Sequence, residues 1–304
     1  VAQRQTASYL RKRFHEIGLF PNARHGQNFL IDYNLVELLA RTAELSDQDV
    51  VLEVGTGTGA LTVLMAKQAA AVVTVEIDRH LHQLAREELR GCDNVTMLLQ
   101  DALKNKNRIH DNVIDGVRSV MRERQVNHFK LAANLPYSIA TPMISNLLRR
   151  EPVPQSMTIT IQKELADRIM ATPSTKDYSS LSVWVQSLCQ IQRVRDLPPT
   201  VFWPRPKVHS AIIKIVPRPD LRNNFTDLEF FHKFVRSLFL HRRKFLRSVL
   251  ISAFKGQLQK GDVDRIMEQR ALGAKARAEA LSVAAIQQLA ESFRQVACPP
   301  QAQA

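Results

Sequence analysis

The chain has 304 residues, 45% of them hydrophobic, enough for one large domain and a smaller one. No stretch reaches the roughly 18 unbroken apolar residues of a membrane span. The three cysteines, Cys92, Cys189 and Cys298, are too scattered for a disulfide framework and favour a reducing, cytoplasmic setting, while the net charge of +13 points to a polyanionic partner.

In chain order, residues 1–23 read as an N-terminal helical extension. Residues 1–15 carry Arg4, Arg11, Lys12 and Arg13 without an acid, the composition of an organellar presequence. Tyr9, Leu10, Phe14 and Ile17 nevertheless recur at helical spacing, and Gly18 then Pro21 follow as a helix stop. An amphipathic helix is the favoured reading. From residue 46 to about 165 apolar runs alternate with helical patterns. Strands are predicted at Val50–Val54, Val72–Ile77, Val95–Leu99, Phe129–Ala133 and Met157–Ile161, and helices at Leu61–Lys67, Leu81–Leu89 and Pro142–Leu148. Such alternation is the pattern of an α/β doubly wound parallel sheet.

The long connection 104–128 repeats Ile109, Val113, Val117, Val120 and Met121 at helical spacing, which predicts an inserted helix rather than a structureless loop. Beyond it, Leu181–Gln190 reads as an apolar helix holding Cys189 as a core residue, and Ile191–Asp196 and Ser210–Val216 as strands. Pro217-Arg218-Pro219 reads as a stiff linker. Helices follow at Leu228–Leu240, Phe245–Phe254 and Val283–Phe293, and a disordered tail over 299–304. The expected division is a catalytic domain over 24–217 and an all-α C-terminal domain over 218–298. Residues 218–304 hold 15 basic against 8 acidic side chains, more than half of the net charge. Within them Arg242, Arg243 and Lys244, beside Arg236 and Arg247, are candidates for RNA contact, with a solvated turn as the alternative.

Two motifs carry chemistry. After the first predicted strand comes Gly55-Thr56-Gly57-Thr58-Gly59, a turn that lets a ligand approach backbone N–H groups at a helix start. Gly55 and Gly57 are candidate cofactor contacts. Glu76, about 20 residues on, would hold ribose hydroxyls for either a dinucleotide or S-adenosylmethionine. Glu53 favours the latter, because it could face the ammonium of a methionine moiety. Asp101, after the third strand, could accept from an adenine amine. The second motif is Asn134-Leu135-Pro136-Tyr137, where a buried strand should end. Asn134 through its side-chain oxygen and Leu135 through its backbone carbonyl could accept both hydrogens of an exocyclic amine. Pro136 fixes the turn, and Tyr137 could stack on a base. His80-x-His82 lacks further ligands at metal spacing, so no metal is expected.

With these pieces in order the chain resembles the ribosomal RNA small subunit methyltransferase A family, the adenine N6,N6-dimethyltransferases. The likeness runs through His25-Gly26-Gln27-Asn28-Phe29-Leu30, the glycine turn, Glu76, Asp101, Asn134–Tyr137 and Gln162-Lys163-Glu164. It continues through Asp177-Tyr178, Leu181-Ser182-Val183, Phe202-x-Pro204-x-Pro206-Lys207-Val208-x-Ser210 and Arg242-Arg243-Lys244. The resemblance implies a Rossmann-like fold dependent on S-adenosylmethionine, with cofactor contacts on Asn28, Leu30, Gly55, Glu76, Asp101 and Asn134. It also implies that Phe202 flanks the target base opposite Tyr137. The implied substrate is a pair of adjacent adenosines near the 3′ end of small-subunit ribosomal RNA in an immature subunit, modified by a cytoplasmic monomer. The 104–128 connection and the N-terminal helix depart from the family pattern. Two rivals stand beside this reading: an antibiotic-resistance enzyme acting on large-subunit RNA, and a non-catalytic nucleic-acid-binding factor. Thr141-Pro142 and the basic helical domain favour the small-subunit enzyme.

Overall fold

The computed structural model describes residues 6–16, 18, 27–242 and 244–298. The chain forms two compact units, one from residues up to 166 together with 191–217, the other from 167–190 and the chain beyond 217.

The first unit is built on a sheet of seven strands: β1 (Asp49–Val54), β2 (Ala71–Glu76), β3 (Val95–Leu99), β4 (His128–Asn134), β5 (Ser156–Gln162), β6 (Cys189–Leu197) and β7 (Ser210–Pro217). Their order is β3-β2-β1-β4-β5-β7-β6. The first five are parallel, with Leu52 opposite Val73 on one side and Leu131 on the other, while β7 runs antiparallel to β5 with Ala211 opposite Ile161. All six residues of β1 and of β2 are buried. That explains why they read as mostly apolar runs without alternation: a strand covered on both faces has no solvent side.

The helices along this part of the chain are α1 (Ala7–Glu16), α2 (Tyr33–Thr42), α3 (Ala60–Ala66), α4 (Arg79–Glu88), α5 (Asp111–Arg124), α6 (Ala140–Leu147) and α7 (Lys163–Ile169). Asp32 and Asp78 cap α2 and α4 by accepting from free backbone N–H groups of the first turn. The long connection is a helix as expected, its stripe of Val113, Ile114, Val117 and Val120 turned inward. Strand order reverses between β1 and β4, so their carboxyl ends diverge and open a crevice there.

The second unit is helical: α8 (Ser180–Gln186), α9 (Pro219–Arg222), α10 (Leu228–Phe239), α11 (Leu246–Ala253), α12 (Lys260–Gln269) and α13 (Val283–Ala297). Its core is aromatic. Trp184 lies 4.7 Å from the ring of His232, and Phe293 lies 4.8 Å from Phe254 and 5.6 Å from Phe234. Residues 167–190 were expected in the catalytic domain; they cluster instead with these helices. The cause is burial: Val183, Trp184 and Val185 are at most 1% exposed, and the Tyr178 hydroxyl donates to the Leu281 carbonyl at 3.0 Å. The predicted helix Leu181–Gln190 also ends early. Ser187 turns its hydroxyl back onto the Val183 carbonyl at 2.6 Å, and Cys189 begins β6 rather than sitting in a helix. Among the described residues no helix is long and apolar enough to cross a membrane.

Candidate active site

At the crevice lies a cavity of about 210 Å³ whose walls include Asn28, Gly55, Gly57, Glu76, Asp101 and the turn Asn134–Tyr137. Residues more than a hundred positions apart in sequence thus meet at one place. Leu30 lines a smaller adjoining cavity together with Glu53 and Thr58.

The glycine turn is shaped by close approach on both sides. Gly55 and Gly57 have φ of +88° and +56°, a region L side chains rarely enter. A Cβ on Gly55 would sit 3.2 Å from the Pro136 ring, and one on Gly57 would sit 3.3 Å from the Phe29 ring. Glu76, ending β2, holds the turn in place: one carboxylate oxygen accepts from the Gly57 N–H at 2.9 Å and the other from the Asp78 N–H at 3.0 Å. Burial pushes its carboxyl above the usual range, against the hydrogen bonds that favour the ion. The remaining lone pairs of Glu76 are available to ligand hydroxyls.

Glu53 lies beneath the turn, 1% exposed, with Oε2 accepting from the hydroxyls of Thr62 and Thr74 at 2.6 Å each. Desolvation pushes its carboxyl up to about 8 despite those donors. A carboxyl so placed favours either a proton or an approaching cation. Asp101 accepts from the Leu103 N–H at 2.8 Å and closes the turn into a short hairpin, Leu103–Asn105 with Arg108–Ile109.

Asn134 ends β4, and its side-chain Nδ2 donates to the Asn28 carbonyl at 2.8 Å. That bond orients the amide: the nitrogen is occupied, and Oδ1 is left to accept. None of the described residues donates to the Leu135 carbonyl, while the Leu135 side chain is 1% exposed and anchors the turn. The Tyr137 hydroxyl shares a 2.6 Å hydrogen bond with Ser210, which fixes the ring, and burial raises its pKa. Two adjacent acceptors beside a fixed aromatic ring suit a planar amine-bearing ring.

Two groups of expected residues are placed differently. Phe202 pairs with Leu30 across a two-stranded ribbon, is 2% exposed, and packs among Leu35, Leu39, Leu197 and Ile212. It is buried and is not one of the cavity's lining residues, and its neighbour Trp203 takes the opposite side of the ribbon. In the second unit, Arg242 donates to Glu279 at 2.5 Å, to the Thr175 carbonyl at 2.8 Å and to the Lys176 carbonyl. Arg247 is bidentate with Asp264 at 2.5 and 2.8 Å. Both guanidinium groups are thus bonded within their own unit while staying partly exposed. Arg236 and Lys244 are exposed, and Arg243 lies outside the described residues.

Sequence reasoning assigned no role to Ile77 or Leu81, which line the cavity, as does Phe29 of the Asn28–Leu30 segment. Ile77 gave a signal, an apolar residue directly after the acid Glu76, and it is 46% exposed. Among the described residues no group of three or more His, Cys, Asp or Glu side chains is placed to share a metal ion.

A family model described as "Ribosomal RNA adenine dimethylase" matches residues 20–291. The chain is 35% identical to a Natranaerobius thermophilus protein named "Ribosomal RNA small subunit methyltransferase A", over 91% of each chain. It is 38% identical to a Streptococcus pneumoniae protein of the same name, over 88% of this chain and 90% of that one. Among solved structures, a dimethyladenosine transferase from Plasmodium falciparum superposes with a TM-score of 0.71 at 23% identity, over 86% of this chain and 96% of that one. The 23S rRNA methyltransferase ErmE does so with a TM-score of 0.62 at 25% identity, over 88% and 100%. The fold is therefore the Rossmann-like methyltransferase fold with an appended helical unit.

Proposed function

Because the chain belongs to the ribosomal RNA adenine dimethylase family, we propose that it dimethylates the N6 amines of two adjacent adenosines near the 3′ end of small-subunit ribosomal RNA during subunit assembly in the cytoplasm. S-adenosylmethionine would be the donor, held by Asn28, Leu30, Gly55, Gly57, Glu76 and Asp101. The fit rests on the cavity itself: a turn with no Cβ at Gly55 and Gly57, a carboxylate with lone pairs for ribose hydroxyls, and the buried acid Glu53 for a cationic ligand. Bound there, this donor supplies an electrophilic methyl group on a sulfonium, so no covalent protein intermediate is required.

One observation carries the proposal, the Asn134 amide turned by Asn28 so that its oxygen is left to accept. An adenine amine is a poor nucleophile, since its lone pair is delocalised into the ring. The Asn134 Oδ1 and the Leu135 carbonyl would hold its hydrogens and aim that lone pair, so that orientation and proximity give most of the rate. Two fixed acceptors near the nitrogen also stabilise the positive charge that builds there. Extruding the base costs a few kcal/mol, and the Tyr137 ring, locked by Ser210, would return roughly 1–3 kcal/mol by stacking.

The test is methyl transfer onto purified unmethylated small and large subunits, with the modified nucleotides mapped by mass spectrometry. Dimethyladenosine at two adjacent small-subunit positions is expected. Modification of large subunits alone would overturn the substrate, and no transfer with intact donor binding would favour a non-catalytic RNA-binding role.

A further inference from the structure

Helix α1 lies outside the motifs that carry the chemistry, yet it packs on the wall of the cavity. Its inward residues Leu10 and Phe14 are 1% and 2% exposed. The Phe14 ring meets Phe29 edge-on with centroids 5.3 Å apart and Trp203 at 5.2 Å, and those two stack at 6.3 Å. Leu81 and Leu84 from α4 complete the cluster.

Three features set this cluster apart from ordinary core. Phe29 and Leu81 belong to it and also line the cavity. The Phe29 ring closes on Gly57, and the carbonyl of the preceding residue, Asn28, receives the Asn134 amide. The ion pair from α1 to α4, Arg13 with Glu87 at 3.2 Å, is solvent-exposed and contributes little. The apolar wedge of Leu10 and Phe14 is therefore what holds the helix down, and an edge-on aromatic contact constrains the orientation of its partner ring as well as burying it.

We infer that α1 is a clamp on the donor site and that Phe14 is a positioning residue. Through Phe29 it seats the Asn28–Leu30 segment, so donor affinity and the aim of the Asn134 amide depend on a side chain that touches neither. The inference rests on the methyl-donor reading of the cavity.

The experiment compares Phe14→Ala and Phe14→Leu in the full chain. Calorimetry with S-adenosylmethionine and with S-adenosylhomocysteine is expected to give a Kd raised about tenfold or more in Phe14→Ala and about threefold in Phe14→Leu. Hydrogen exchange should accelerate at Phe29–Ile31, where the Ile31 N–H now donates to the Val201 carbonyl at 2.9 Å, with protection of β1 and β2 unchanged. Affinity for small-subunit RNA should stay as in the parent. Wild-type Kd values in Phe14→Ala would overturn the clamp, as would uniform loss of protection across the sheet. Should Phe14→Ala not fold, Phe14→Leu decides alone, and parental affinity with parental exchange at 29–31 overturns it. Failure of the parent itself to bind either ligand would instead refute the donor reading.

Discussion

The turn Asn134–Tyr137 and the basic run from Arg236 to Arg247 both attract attention by residue type, and the fold treats them in opposite ways. At the turn, internal bonds occupy the donor side of Asn134 and the hydroxyl of Tyr137, and leave acceptor capacity beside the cavity. In the basic run, Arg242 and Arg247 turn guanidinium donors onto carboxylates and carbonyls of their own unit. A residue's chemistry becomes available to a ligand only through what its neighbours leave unbonded. Charge and motif do not report that remainder; geometry does.

The sharpest way to break this contrast is Asn134→Ala. It removes an acceptor for the amine and also frees the Asn28 carbonyl, so transfer should fall on the order of 100-fold in a radiolabel assay while donor Kd rises by a smaller factor. Near-parental transfer would dissolve the difference between the two regions. Next comes the acid under the glycine turn. Glu53 has a folded pKa near 8, above its ordinary value, so the stability it contributes is fully present below the ordinary carboxylate range and is lost as pH rises through about 8. The parent should lose stability from mildly acidic pH toward pH 8, by up to about 1.4 kcal/mol per pH unit for one proton. Glu53→Gln should flatten that decline in denaturant titrations, leaving a residue of the same sign from Glu76, also raised by burial. Arg242→Ala should cost about 1–2 kcal/mol of stability, read as a lower denaturant midpoint, without changing the salt dependence of RNA binding. The smallest effect is expected from Arg236→Ala and Lys244→Ala. Each should lower the slope of log affinity against log salt by about one and leave the melting curve alone.

Much of the sheet was legible because strands covered on both faces leave an unmistakable apolar run, and all five predicted parallel strands lie within two residues of their observed limits. The glycine turn and Asn134 were legible because each needs a special residue at a special place. The burial of Phe202 was not, since a two-residue ribbon gives no alternation from which to read the inward face. Nor was the pairing of Arg242, whose carboxylate partner lies 37 residues away. The placement of 167–190 was hidden because no linker composition marks where the chain leaves the sheet for the helical unit. Helix α2 is a different case: Asp32 caps it and Leu35, Val36, Leu39 and Ala40 form its buried stripe, so the signal was present although it is not among the predicted elements.

The near-contact between Gly55 and the Pro136 ring has a mechanical consequence. Any side chain at position 55 would press on the Pro136 ring, so exchanging that glycine should push the two turns apart. The spacing of the two turns is then set by a single missing methyl group.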